Sequence, residues 1–267
     1  MTCSIVSGQD VDKRQYTLVN PVPFDMMREL SADRPDATES PITVDAGHVQ
    51  IEMSFVDYAY DHSEIGSGEA WTVMDTNLKI GLLHNVDLQF VFGAYSRVDL
   101  DVSNGPDPTL EGFGDVQVRT KINLWGNDGG DTAFAIMPFI QIPTGTDVGS
   151  DDTQGGVIFS LGWDVAPTWG LGFQVETDWV YDEEDRGYDT EVSHTTVLGF
   201  DVAGPLGAYV EYIGVISGDA DTDYQAIASC GVTYAVHDNL TLDLGSQIGI
   251  TEDADDLNVF TGMTVRF

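Results

Sequence analysis

The stretch at residues 112–126 reads GFGDVQVRTKINLWG, and its alternation decides the fold. One face carries apolar or small side chains: Val116, Val118, Thr120, Ile122 and Leu124. The other face carries polar and charged ones: Asp115, Gln117, Arg119, Lys121 and Asn123. A period of two is typical of a β-strand between two different environments. Because an apolar outside with a charged inside suits a barrel in lipid, the stretch predicts one strand of a membrane β-barrel.

The composition excludes several classes of protein. The 267 residues include 10 Lys and Arg against 45 Asp and Glu, a net charge of −35, so nucleic acid would be repelled. A hydrophobic content of 42% argues against disorder. The sequence contains no apolar run long enough for a transmembrane helix. The start, MTCSIVSGQD, lacks the basic and apolar regions of a signal peptide, so we expect none in this sequence.

The same alternation recurs along the chain and predicts an all-β fold. Eleven segments show it: residues 48–60, 71–82, 86–98, 112–126, 157–165, 171–179, 192–202, 206–216, 224–236, 240–250 and 259–267. A twelfth predicted strand, residues 132–142, is apolar on both faces around Pro138, so the sequence does not fix its phase. An antiparallel barrel with both ends on one side requires an even number of strands. We therefore expect a transmembrane antiparallel up-and-down β-barrel over residues 43–267, preceded by a non-barrel extension over residues 1–42.

Connections of two lengths alternate between the predicted strands. The short ones are residues 83–85, 166–168, 203–205 and 237–239. The longer, acidic ones are residues 99–111, 147–152, 182–191, 219–223 and 252–256. Short periplasmic turns and long external loops are typical of the outer membrane of a Gram-negative-type envelope, which places both termini in the periplasm. Five tryptophans near strand ends are predicted interfacial aromatics: Trp71, Trp125, Trp163, Trp169 and Trp179.

The N-terminal extension shows no strand alternation, and its residues 31–41 are polar and interrupted by proline. One interpretation is a periplasmic tail. The other is a plug folded into the lumen, where Arg28 and Arg34 would meet acidic groups. The sequence leaves both open.

Several stretches resemble a family of bacterial outer-membrane barrels associated with meta-pathway phenol-degradation operons. They are ADRPDATESPITVDAGHVQIE at residues 32–52, GFGDVQVRTKINLWG at residues 112–126, MPFIQIPTG at residues 137–145 and the closing VRF. The resemblance implies a barrel, an outer-membrane location and passage of small organic compounds. The terminal Phe267 resembles the signal that the barrel assembly machinery reads on its clients.

Charged residues whose phase points inward form two predicted groups. The basic wall is Lys79, Arg97, Arg119, Lys121 and Arg266. The acidic wall is Glu176, Asp178, Asp201, Glu211 and Asp243. Charged walls in a pore select ions and orient dipolar solutes. Alternatively, these groups pair across the lumen or with the N-terminal extension and simply fill it.

Other chemistry has weaker support. The acidic run Asp182, Glu183, Glu184 and Asp185 offers oxygen ligands for weakly bound Ca²⁺ or Mg²⁺, but without the spacing of a defined site. We therefore expect no firm metal site and no other cofactor. Ser193 and His194 are neighbours on a strand and point to opposite faces, and no G-x-S-x-G motif occurs, so no enzyme is expected. A disulfide between Cys3 and Cys230 is not expected either.

The leading hypothesis is a passive, porin-like channel and transporter for small solutes, including aromatic or amphipathic ones. Inward-facing Tyr95, Tyr209 and Phe260 would contact such solutes. The alternative is a structural or complex-forming barrel that its own N-terminal segment closes. The expected partners are outer-membrane lipid, the barrel assembly machinery and a small-molecule solute, with a membrane or periplasmic protein under the alternative.

Overall fold

The structure, a computed structural model, describes residues 12–63, 66–102, 105–182, 186–218 and 224–267. Its strands form one antiparallel sheet. They are β1 (Val49–Ser63), β2 (Gly66–Leu83), β3 (Val86–Val102), β4 (Thr109–Gly112), β5 (Val116–Trp125), β6 (Thr132–Ile142), β7 (Gln154–Ala166), β8 (Trp169–Asp182), β9 (Gly187–Ala203), β10 (Leu206–Ile216), β11 (Gln225–His237), β12 (Leu240–Gly249) and β13 (Leu257–Arg266). Two single-turn 3₁₀ helices, Lys13–Gln15 and Phe24–Met26, precede them. Within the described ranges, no helix is long and apolar enough to cross a membrane.

The sheet closes into a barrel because the last strand pairs with the first. Gln50 lies opposite Arg266, and Glu52 lies opposite Thr264. Two-residue turns at residues 84–85, 167–168, 204–205 and 238–239 lie at the end where β1 begins and β13 ends, here called the short-turn end. The opposite end is called the loop end. The predicted closed barrel is confirmed, although its first strand begins at Val49 and residues 12–48 precede it.

The fourth predicted strand is interrupted. β3 pairs with β5 over Val86–Phe92 and with β4 over Ser96–Asp99, so β4 and β5 lie end to end along the same neighbour. Residues 113–115 separate them. The predicted strand at residues 112–126 is therefore β5 together with the last residue of β4. The barrel therefore has twelve strand positions around its wall, and β4 is one extra short strand that shares a position with β5.

The two faces of the barrel have the inverted pattern that the sequence predicts. Polar side chains are buried inside: Gln50, Glu52, Ser54, Lys79, Asp87, Gln89, Lys121, Asn123, Ser160, Gln174, Thr195, Glu211, Ser229, Asp243, Thr264 and Arg266. Large apolar side chains are exposed outside: Phe55, Leu124, Phe159, Val175, Val210, Val232, Leu242, Leu244, Ile248 and Val259. Such a surface is stable only where lipid replaces water.

The prediction that Arg97 points inward is wrong. Arg97 lies directly opposite the exposed Trp71, so the two side chains share the outer face. A Cβ on Gly93 would lie 3.6 Å from Ser96 Oγ, so these two positions share the lumen face although they are three residues apart. The alternation along β3 therefore slips by one residue. The neighbouring strand is also irregular there, since Met74 has a φ of +54°.

Candidate functional site: the lumen and the segment within it

Residues 33–44, here called the lumen segment, lie inside the barrel. Side chains of β1, β2, β5, β8, β9, β10 and β12 all hydrogen-bond to it. These strands lie on opposite sides of the closed ring, so a segment that reaches all of them crosses the lumen. Polar and ionic contacts hold it there.

Four buried charges anchor the start of the segment. The Lys121 Nζ lies 2.8 Å from Asp33 Oδ1, and Lys79 pairs with both Asp33 and Glu52. The backbone N–H of Asp33 also donates to Glu52 Oε2 at 3.0 Å. Burial opposes ionisation of Asp33, but the two ammonium groups outweigh it and lower the pKa of this carboxyl. Two cations and two carboxylates thus form a neutral cluster shielded from water.

Arg34 binds the adjoining part of the barrel wall, on β12 and β1. Its guanidinium donates to Asp243 at 2.7 Å and 3.3 Å, and to the hydroxyl of Ser54 at 2.6 Å. Its Cζ also lies 5.8 Å from the ring centroid of Phe260. The fork of two bonds to one carboxylate fixes this arginine against β12.

Glu39 brings the segment back to β5 and β8. Its carboxylate pairs with Arg119 and lies 3.8 Å from Lys121, and its backbone N–H donates to Gln174 Oε1 at 2.7 Å. Burial raises the pKa of Glu39, and the nearby Asp33 raises it further against the two cations. Glu39 therefore takes up a proton more readily than an exposed glutamate does.

The turn between these anchors rests on β9 and β10. Glu211 accepts hydrogen bonds from the Ala37 N–H at 3.0 Å and the Thr38 hydroxyl at 2.7 Å. The Thr38 hydroxyl also lies 2.5 Å from that of Thr195. Burial, followed by the negative charge of Glu211, raises the pKa of Asp36 well above its ordinary value.

The chain returns to the wall at the short-turn end. Asp45 lies 3.1 Å from Arg28 and 3.3 Å from Lys13, and both cations also pair with Asp128 in the β5–β6 connection. Two Arg28 guanidinium nitrogens further donate to backbone carbonyls, one of them that of His84 at 2.7 Å. The N-terminal residues are thereby fastened to two turns.

Glycines of the lumen wall make room for the segment. A Cβ on Gly81 would lie 2.8 Å from the carbonyl oxygen of Val44 and 2.0 Å from that of Asp45, which directly follows the segment. The same construction brings Gly162 within 3.2 Å of Pro41, Gly172 within 3.0 Å of Thr38, and Gly262 within 2.7 Å of Arg34. In contrast, a Cβ on Gly199 would meet nothing within 4 Å.

The predicted basic wall is only partly assembled. Lys79, Arg119 and Lys121 meet around the lumen segment. Arg266 lies apart at the short-turn end, where its Nη2 donates to Asn239 Oδ1 at 2.8 Å. Arg97 lies on the outer face and pairs with Asp99.

The predicted acidic wall divides in a similar way. Glu211 and Asp243 bind the lumen segment, as described above. Glu176 instead accepts a hydrogen bond from Gln174 at 3.0 Å. Asp178 lies two residues beyond Glu176 on β8, toward the loop end. Asp201 lies near the short-turn end of β9.

The predicted aromatic contacts are also divided. Tyr209 and Phe260 are buried in the lumen, where the Tyr209 hydroxyl lies 3.0 Å from that of Ser229. Tyr95 lies beyond the slip in β3, and its hydroxyl donates to Glu111 at 2.8 Å on the outer face. The prediction of an inward Tyr95 is wrong for the same reason as that of Arg97.

All five tryptophans are exposed on the barrel surface. Trp125, Trp163 and Trp169 lie toward the short-turn end, and Trp71 and Trp179 toward the loop end. At the terminus, the N–H of Phe267 donates to the carbonyl of Val49 at 2.8 Å and extends the closing pair of strands.

Two further expectations concern residues that the structure covers only in part. Asp182 ends β8, but Glu183, Glu184 and Asp185 lie outside the described residues, as do Cys3 and residues 219–223. Within the described ranges, no three His, Cys, Asp or Glu side chains are grouped to hold a metal. Cys230 is a free, exposed thiol.

The strand pattern does not reveal the acidic partners that lie ahead of β1. Asp33, Glu39 and Asp45 supply the ion pairs that the inward lysines and arginines require. Their only signal is a polar, acidic stretch ahead of a barrel with inward cations.

The closed barrel, its apolar exterior and its polar lumen define an integral β-barrel protein of an outer membrane. The chain belongs to the family described as "Putative MetA-pathway of phenol degradation", whose model matches residues 32–267. This match includes the whole lumen segment as well as the barrel.

No curated protein matches the sequence. Among solved structures, an outer membrane channel from Pseudomonas putida F1 has a TM-score of 0.60 at 12% identity, covering 89% of this chain and 100% of that one. The translocator domain of the autotransporter NalP from Neisseria meningitidis has a TM-score of 0.51 at 10% identity, covering 82% of this chain and 88% of that one. At these identities, the likeness shows a shared fold.

Proposed function

We propose that the protein is a passive outer-membrane channel for small solutes, and that the docked lumen segment closes its path. The observation that carries this proposal is how the segment is held. Side-chain hydrogen bonds and ion pairs dock residues 33–44, and none of those residues is in a strand, so the segment can leave without breaking the barrel. The fold of the Pseudomonas putida channel supports the same function.

The family description supports aromatic compounds such as phenols as the solutes. Both ends of the barrel chain lie at the short-turn end, which supports a periplasmic location for the termini. Outer-membrane lipid would then surround the exposed apolar face. The barrel assembly machinery would read the terminal Phe267.

A second candidate follows from the same observation. If the segment never leaves, the protein is a non-conducting barrel that serves a structural role or binds a protein partner. The two candidates differ only in whether docking is reversible.

The deciding experiment is single-channel recording in planar bilayers on the full chain and on Arg34→Ala. We expect rare openings for the wild-type protein and frequent openings for Arg34→Ala, because the variant loses both bonds to Asp243. Arg97→Ala is the matched control, since Arg97 lies on the outer face, and it should behave as the wild type. In the open variant, adding Arg119→Ala should shift selectivity toward cations. Electrical silence of every variant would overturn the channel proposal and favour the second candidate.

A further inference from the structure

A cavity of about 370 Å³ lies at the loop end of β1, β2 and β3. Its wall follows from the strand register. Ala59 lies opposite Ala70, and Ala70 lies opposite Val98, so these three side chains share one face. In the next row toward the loop end, Gly68 lies opposite Leu100. The face is therefore an apolar surface with little side-chain bulk.

This face is the lumen side of the barrel. Ala59 lies opposite Asn258 of β13, and the Asn258 amide donates to the inward Asp57 at 3.0 Å. Further along β2, Asp75 and Asn77 line a smaller cavity of about 140 Å³ directly beside the lumen segment. The two cavities thus follow one another along β2, so a solute on its way to the lumen segment passes the larger one first.

The charges around the larger cavity restrict what it can hold. Its lining includes Asp61, which lies opposite Gly68 on this face, and Asp255, and no Lys, Arg or His among the described residues. An anion would meet repulsion and find no cationic partner there. A neutral molecule would meet the apolar side chains without that penalty.

The volume fits a small ligand. An apolar cavity of about 150 Å³ holds one benzene ring, and ligand pockets generally begin near about 300 Å³. The two glycines of β2, Gly66 and Gly68, keep this space open. A Cβ on Gly68 would approach Leu100 Cδ2 to 3.2 Å, so even a methyl group narrows the cavity.

We propose that this cavity is an entry site that binds a small, neutral, mainly apolar molecule with one aromatic ring. The inference rests on the proposed channel function and adds to it a binding site and a preference for neutral over anionic solutes. Aromatic carboxylates and other anions are rejected by the carboxylates around the cavity. The bound ring contacts Ala70, Val98 and Leu100, and any single hydroxyl points toward the rim.

The experiment is fluorine NMR on the full chain in lipid nanodiscs, with 4-fluorophenol as the probe and 4-fluorobenzoate as its anionic counterpart. We expect saturable line broadening with 4-fluorophenol and none with 4-fluorobenzoate. Ala70→Phe fills the cavity and should weaken binding at least tenfold. Ala228→Phe is the matched control, because Ala228 is exposed on the outer face of β11, and it should bind as the wild type.

Val98→Asn provides a second variant, which keeps the side chain nearly the same size but makes it polar, and it should also weaken binding. Heat-modified mobility on gels checks that each barrel has folded. Undiminished binding by folded Ala70→Phe and Val98→Asn, or equal binding of 4-fluorobenzoate, would overturn the entry site. Because binding is measured without any current, these results are independent of whether the barrel conducts.

Discussion

At the scale of single residues, the two buried lysines show how the lumen is used. Lys79 and Lys121 point inward, as cations of a selective pore would, yet both are buried against Asp33. An ammonium group withdrawn from water is stable only with a partner, so each lysine depends on the lumen segment. Their charges therefore become available to a solute only when that segment leaves.

This dependence predicts a strong coupling between Asp33 and Lys121. Lys121→Met should lower the free energy of unfolding by about 3 kcal/mol, because it leaves a buried carboxylate with one cation fewer. The double variant Asp33→Asn, Lys121→Met should cost less than the sum of the single variants. Urea unfolding in detergent micelles measures all three. Arg97→Met, which breaks an exposed ion pair, is the control with little effect, and additive costs would contradict the coupling.

Alternation alone predicted that Lys79, Arg119 and Lys121 face the lumen, because a period of two assigns each strand residue to a face. It could not predict their partner. Lys79 and Asp33 are separated by 46 residues of sequence, and Asp33 lies in a segment without periodic structure. Long-range pairing of an irregular segment leaves no pattern in the sequence.

At the scale of elements, the lumen glycines match the segment that lies against them. Of these glycines, Gly81 leaves the least room for a Cβ. Its backbone also forms hydrogen bonds with the backbone of Gly47 and His48. Gly81→Ala should push residues 44–46 off the wall and raise the open probability in single-channel recordings. Gly199→Ala is the matched control, because its methyl group would enter free space. Equal open probabilities in the two variants would show that the glycine contact does not seat the segment.

The interruption between β4 and β5 creates a second element-scale contact. Asp115 lies in the interruption and accepts hydrogen bonds from the Thr144 N–H at 3.1 Å, and from the Ser150 N–H at 2.9 Å and hydroxyl at 2.6 Å. These bonds hold the β6–β7 loop beside the gap.

Loss of that anchor should expose the loop to proteases. Asp115→Ala should speed cleavage within residues 143–153 about tenfold or more in proteoliposomes, because three bonds of roughly 1 kcal/mol each are lost. Asp147→Ala, an exposed position in the same loop, should be cleaved as the wild type. Cleavage at the wild-type rate in Asp115→Ala would show that other contacts hold the loop.

Two features of the strands do not follow from the alternation of apolar and polar residues: the limits of β2 and β3, and the slip within β3. β2 begins at Gly66 and β3 ends at Val102, both beyond the predicted limits. These paired strand ends, residues 66–70 and 99–102, lack the pattern of apolar outside and polar inside that lipid imposes. The slip in β3 that turns Arg97 outward is a local change in backbone geometry. Ala94 and Tyr95 occupy it, directly after Gly93, and a single glycine in a strand does not fix whether the alternation slips there.

At the scale of the whole molecule, charge and closure are linked. The chain carries a net charge of −35, and few cations are available to neutralise it. Three of them, Lys79, Arg119 and Lys121, are concentrated where the lumen segment docks. Docking of the lumen segment thus involves two kinds of carboxyl. These cations stabilise the ionised form of one kind, and burial destabilises the ionised form of the other.

That balance predicts that the channel opens as the pH rises. In the docked state, burial raises the pKa of Glu39, which faces Asp33, Arg119 and Lys121. It likewise raises the pKa of Asp36, which faces Glu211, Asp33 and Glu39. Groups with a raised pKa bind protons more tightly when docked, so docking is strongest below their ordinary values and weakens as the pH rises through the raised ones.

Asp33 acts in the opposite sense, because its pKa is lowered when it is docked. Its contribution is lost only as the pH falls below its ordinary value of 3.8, so it stays constant between about pH 5 and about pH 9. Over that range, the open probability in planar bilayers should therefore increase with pH. Glu39→Gln should flatten the increase, whereas Glu252→Gln, exposed at the loop end, should leave it unchanged. An open probability that falls with pH, or an unchanged slope in Glu39→Gln, would show that these carboxyls do not control docking.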